Sequence, residues 1–150
     1  MQAAYTYMPS GSTSIIEKFI NSMMWNGKKN ISRKILQDCL EELKKMGHKN
    51  PSDTFETAIR NVMPQIEVRP KRIGGAVYQI PMEVNSKRQL SLSIRWIIGA
   101  SRKKKGMPMH KRLSIEINDA FNEQGEAYKK KIDVKKMAEA NKAFAHFANY

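Results

Sequence analysis

Arg69, Pro70, Lys71, Arg72, Gly74 and Gly75 make up a turn between two alternating segments of the stretch Ile66–Val84. Guanidinium and ammonium groups so placed can donate charge-assisted hydrogen bonds to an anion, above all to phosphate. The alternation and the glycine pair predict a two-stranded β-hairpin over 66–84. Its paired backbone is stiff, and its tip carries charge beyond the body of the chain. Other cations gather at the predicted ends of elements: Lys28, Lys29 and Arg33 around a helix start, Lys87 and Arg88 after the hairpin, and Arg102, Lys103, Lys104 and Lys105 at a helix end. A last group, Lys129, Lys130, Lys131, Lys135, Lys136 and Lys142, lies toward the C-terminus. These clusters read as unmatched by acids. Their spread suits a folded RNA with several helices better than one groove of DNA.

Other chemistry fails on spacing. His48, His110 and His146 fall in different elements, and Cys39 is the only cysteine, so neither a metal site nor an internal disulfide is indicated. Gly27-Lys28 lacks the glycine a P-loop needs five residues earlier, and Gly74-Gly75 opens no helix, so neither is a nucleotide loop. Glu41 and Glu42, and Glu116, Asp119 and Glu123, stand at helical spacing near lysines and read as solvated faces. No nucleophile, base and orienting acid form a set. The reading is a binding protein with no cofactor, no metal and no small-molecule substrate.

With 27 Lys and Arg against 14 Asp and Glu, the 150-residue chain carries a net charge of +13. Such an excess favours polyanions through counterion release. A hydrophobic share of 41% is enough for a true core, and no apolar run is long enough to span a membrane.

The elements that must position these cations follow from periodicity, and together they predict a mainly α fold. It is a single domain of about six helices with one protruding β-hairpin, preceded by an irregular N-terminal arm over 1–12. Ile15, Ile16, Phe19, Ile20, Met23 and Met24 make a first helical stripe, ended by Asn26-Gly27. Ile31, Ile35, Leu36, Cys39, Leu40, Leu43 and Met46 make a second, stopped by Gly47. Asn50-Pro51 starts a third with Phe55, Ala58, Ile59 and Val62 inward. Ser86 is the expected cap of a fourth helix through about Arg102, apolar on most sides, in which Trp96 reads as core and not as a base-stacking platform. Leu113, Ile117, Ala120 and Phe121 define a fifth, ended near Gly125. The last helix is expected after Asp133, carrying Val134, Met137, Phe144 and Phe147.

Four stretches make the chain recognisable: Lys18–Lys29 (KFINSMMWNGKK), Val68–Pro81 (VRPKRIGGAVYQIP), Ile94–Arg102 (IRWIIGASR) and Met137–His146 (MAEANKAFAH). In order over about residues 13–147, they resemble the seventh protein of the small ribosomal subunit, of the bacterial and organellar type. The resemblance implies six helices with a hairpin arm in a structural, non-enzymatic primary binder of small-subunit ribosomal RNA that nucleates head assembly. It implies neighbouring head and platform proteins, with the hairpin and C-terminal helix near the exit-site tRNA and the mRNA path. It nominates Arg95 and His146 as RNA contacts alongside Lys28, Lys29, Arg69, Lys71, Arg72, Arg102, Lys136 and Lys142. The tip, Arg72, Ile73, Gly74 and Gly75, is the part expected nearest tRNA. Two departures stand out: Met1–Ser12 holds no positive charge where the family has a basic arm, and the chain ends Phe147-Ala-Asn-Tyr150 where the family has an arginine. With the richness in Lys, Asn, Ile and Met, these point to a mitochondrial ribosome first, with plastid and bacterial cytoplasm as alternatives. A free-standing RNA-binding regulator is the competing reading, separable by whether the chain cofractionates with small subunits.

Overall fold

The stripes become helices. In the computed structural model, which describes residues 8–149, the order is α1 (Ser14–Met23), α2 (Lys29–Lys45), α3 (Pro51–Val62), β1 (Ile66–Ile73), β2 (Ala76–Glu83), α4 (Ser86–Lys103), α5 (Met109–Phe121), α6 (Gly125–Ala140) and a 3₁₀ segment, Lys142–Asn149. The mainly α fold with one hairpin is as expected. Of the expected arm, residues 1–7 lie outside the described residues, as does Tyr150.

Phe19, Ile20, Leu36, Cys39, Leu43, Phe55, Ile59, Ile97, Leu113 and Ile117 bury together between α1 and α5. Phe19 meets Phe55 edge to face at 4.9 Å, the arrangement that aromatic quadrupoles favour. Burial, and then Glu42 beside it, pushes the Cys39 thiol up to about 12, so this cysteine behaves as an inert core residue. Ser93 on α4 donates its hydroxyl to the Ile59 carbonyl on α3 at 2.6 Å, locking the two helices. Trp96 is half-buried and packs against the margin of this core.

Turn chemistry acts at the expected glycines, but the hairpin bend is tighter than expected: Arg69, Pro70, Lys71 and Arg72 lie in β1, paired with Ile80, Gln79, Tyr78 and Val77. Asn26 and Gly27 have φ of 51° and 73°, so α1 reverses into α2 through left-handed backbone. In the hairpin Ile73 pairs with Ala76. The intervening Gly74 and Gly75 have φ of 58° and 86°, the two-residue turn whose twist matches that of the strands. Ile80, Pro81 and Val84 bury the hairpin base against the helices, while the tip projects.

Three boundaries differ. The fourth helix is capped by Asn85, whose side chain accepts from the Arg88 N–H at 2.9 Å, one residue before Ser86. The last helix begins at Gly125, not after Asp133. Its first turn is capped from a distance: Glu116 Oε1 on α5 accepts the Ala127 N–H at 2.9 Å, a partner that local sequence does not reveal. Gly125 has φ of 90°, and a Cβ there would meet Asp119 Cβ at 2.9 Å, so no other residue closes this corner without strain. Phe144 and Phe147 leave α6 for the 3₁₀ segment and pack on Tyr78 of β2, with ring centroids 5.2 and 5.3 Å away. Met137 turns outward, 51% exposed, because the small Ala127 and Ala138 take the buried face of α6.

Candidate nucleic-acid interface

The expectation that the cations are unmatched by acids is overturned at three places, where a buried glutamate holds two or more nitrogens. Glu17 on α1 is almost fully buried. Arg33 on α2 grips it with both guanidinium arms, at 2.7 and 3.1 Å, and Lys29 approaches to 3.7 Å. The Arg33 hydrogen bonds hold the Glu17 carboxyl down at about 2, from an ordinary 4.5, against the opposing effect of burial; Ser12 and the charges of Arg33 and Lys29 assist. Glu67 on β1 binds Arg69 of its own strand and Arg88 of α4, the latter at 2.8 Å. Glu116, read from sequence as a solvated acid, is fully buried, with Lys104 3.4 Å from Oε2 and the Ala127 N–H on Oε1. Alternation and helical spacing could not reveal these acids, because each meets a partner on another element.

These pairings gather the scattered cations into two patches. The first surrounds the α1–α2 turn. Lys28, Lys29 and Arg33 meet the end of α4, because Arg102 donates to the Met23 carbonyl at 3.2 Å and lies 5.4 Å from the Trp25 ring centroid. Lys103 and Lys104 continue this edge, the former 3.9 Å from Glu126. The second patch is the hairpin with its surroundings. Arg69 and Arg88 share Glu67, and Lys87 is exposed beside them. Lys71 donates to the Phe147 carbonyl at 3.2 Å and so ties the finger to the C-terminal segment. Lys142 lines the groove at the hairpin base, and His146 lies against Phe147 at 4.0 Å between centroids. Arg72, Gly74 and Gly75 at the tip are exposed, with Ile73 half-buried.

Arg88, Arg95 and Arg102 recur every seven residues on α4, and two helical turns nearly repeat a face. The first and last are separated by about 21 Å at 1.5 Å per residue. Arg95, exposed midway, therefore connects the patches along one stripe. Lys136 is exposed on α6.

This arrangement places cations at three depths: buried-anchored, half-exposed and free at a projecting tip. It suits a polyanion with a relief. Among the described residues no group of three or more His, Cys, Asp or Glu could hold a metal ion, and no helix is long and apolar enough to cross a membrane.

Comparison with known proteins agrees with that chemistry. Residues 2–142 match the family model described as Ribosomal protein S7p/S5e. The chain belongs to this family. Within it, the chain is 51% identical over 133 residues to a protein of Thermosipho africanus named Small ribosomal subunit protein uS7, covering 89% of this chain and 86% of that one. Proteins of the same name from Dictyoglomus turgidum and Thermotoga maritima are each 48% identical, over 139 and 133 residues, and are covered to 89% and 86% of their lengths. Family membership, expected from the four motifs, is thus established. The sources of these relatives are bacterial.

The sequence reading missed one conspicuous surface residue of this family member. Trp25, quoted within the first motif and assigned no role, is 66% exposed beside the Asn26-Gly27 turn. Its signal was its place: it follows the last buried residue of the α1 stripe and immediately precedes the reversal.

Proposed function

We propose that this chain is a structural constituent of the small ribosomal subunit that binds the subunit's ribosomal RNA, residues 13–150 acting as one RNA-binding unit. The match to the S7p/S5e family over residues 2–142 carries this reading. The two cationic patches, joined by the Arg88–Arg95–Arg102 stripe, supply the mechanism. Cations held on buried glutamates stand ready at fixed spacing, so less side-chain entropy is lost on meeting phosphates. The rigid helical body then fixes the angle between the RNA helices that it touches.

In this reading Lys28, Lys29, Arg33, Arg102, Lys103 and Lys104 meet RNA at one end of α4, and Arg95 meets it midway. Arg69, Lys71, Arg72, Lys87, Arg88, Lys142 and His146 do so at the other, and Lys136 meets it from α6. The projecting tip, Arg72–Gly75, approaches the exit-site tRNA, with the mRNA path beside the C-terminal segment and other head and platform proteins adjoining. The role is nucleation of head assembly, structural and not enzymatic, as membership of a ribosomal-protein family favours. Bacterial relatives support a bacterial cytoplasmic ribosome over the mitochondrial one that composition suggested.

Binding of small-subunit ribosomal RNA is expected to weaken steeply with salt, with a slope in log K that follows the number of phosphates neutralised. The chain should also cofractionate with small subunits in a low-salt gradient. A flat salt response, or a chain that stays at the top of the gradient, would favour the free-standing regulator or remove the RNA reading altogether.

A further inference from the structure

Beside the α1–α2 turn runs an open groove of about 460 Å³, within the range of small-ligand sites. Half-buried Met24, Ile35 and Met109 line it together with Trp25 and Ile31, two of the most exposed large apolar side chains among the described residues, at 66% and 56%. Lys28, Arg102 and Arg112 are the charged residues of its lining, and no acid contributes. Arg102 is fixed by its bond to the Met23 carbonyl and covers the Trp25 ring at 5.4 Å. The indole is therefore held in place by a cation while most of its surface stays open to solvent.

We infer that this groove takes one unpaired, extruded base of RNA, stacked on Trp25 and seated against Ile31, with its flanking phosphates on Lys28 and Arg102. The inference rests on the RNA-binding reading above and adds a base-dependent element to it. A nucleotide offers the apolar π-face of its base to the groove and the negative charge of its phosphates to the rim, the combination that this lining complements. An apolar side chain from a neighbouring protein would fill the floor and leave the cations of the rim without anions to meet. Trp96, the other tryptophan, packs against the core and is not open in this way.

The test compares binding of the full chain to two RNA stems of equal length and sequence, one carrying a single bulged adenosine and one fully paired. The expected result is tighter binding of the bulged stem, with quenching of Trp25 fluorescence in a Trp96→Phe background. Trp25→Ala should lower affinity for the bulged stem by about tenfold or more, as removal of one base–aromatic stack does. It should leave the paired stem and the salt slope unchanged, and Trp25→Phe should keep part of the preference. Trp25 is exposed, and an unchanged thermal melt confirms that the variant is folded. No preference for the bulge, a preference that survives Trp25→Ala, or an equal reduction for both stems overturns the base site. So does an unchanged RNA preference accompanied by weakened binding of a small-subunit protein. In each of these cases salt-dependent binding of the paired stem can persist, so the general RNA-binding reading and the base site fail separately.

Discussion

The hairpin patch and the turn patch are built on the same device, a buried glutamate gripped by basic side chains, but they differ in depth and in what lies between the charges. Glu17, at the turn, is held by an Arg33 side chain only 26% exposed. Glu67, at the hairpin, is held by Arg88 and Arg69 side chains that are 40% and 48% exposed. Between the cations of the turn lies an apolar groove with an open tryptophan; the hairpin tip offers charge, glycine and the exposed Val77. One region is equipped to accept a base and is braced by a deep ion pair. The other is a stiff electrostatic probe whose ion pairs are shallow. The comparison shows that similar groups of cations along a chain can serve different purposes once burial is known.

That contrast can be broken first by stability. Glu17→Gln should cost about 3 kcal/mol, because it dismantles a buried, bidentate pair. Glu67→Gln should cost about 1 kcal/mol, because its partners are screened by solvent. Chemical denaturation of both variants checks the difference, and equal destabilisation would mean that depth does not separate the patches.

Acid titration should follow the same line. Folded Glu17 has its proton affinity depressed to about 2 from 4.5, so the unfolded chain binds more protons between those values. Its stabilisation is complete above about pH 5 and is lost as pH falls through about 2, amounting to at most about 3 kcal/mol. Denaturation midpoints measured from pH 6 downward should show this component in the wild type and lack it in Glu17→Gln.

A smaller effect is expected on binding. Alanine at Arg69, Lys71 and Arg72 together should leave the helical body folded and reduce the salt slope for ribosomal RNA by about 3, one for each phosphate left without its cation. Alanine at Lys28, Lys29 and Arg102 should reduce it by a similar amount. Unfolding of the hairpin variant would show that its cations brace the fold and do not serve as a probe. The smallest effect tests where the regions should agree. Gly75→Ala and Gly27→Ala both force a left-handed backbone on a residue with a Cβ, and each should cost about 1 kcal/mol in thermal denaturation.

Legibility in the sequence followed locality. The stripes from Ile15 to Met24 and from Ile31 to Met46, the Asn26-Gly27 and Gly74-Gly75 turns, and the presence of a hairpin over 66–84 were readable because periodicity and turn angles depend on neighbours, whereas the strand register was not. The start of α6 was not, because its first turn is capped by Glu116, eleven residues earlier on another helix. Nor was the burial of Glu17, Glu67 and Glu116, since an acid on a helix or strand looks solvated until another element brings its cation. Trp96 and Trp25 differ for the same reason: helical spacing put the first near the core, while the exposure of the second depends on how α4 meets the turn.

By itself, the sequence determined the helical class, the hairpin and its turn, the polyanion-directed charge and the family, since composition, period and motif are properties of the chain read in order. Only the tertiary structure decided which cations stand together, which are anchored on buried carboxylates, and that an apolar groove opens beside Trp25. Those outcomes depend on contacts between residues as far apart as Met23 and Arg102, or Lys71 and Phe147, and such contacts leave no mark on the local pattern of either partner.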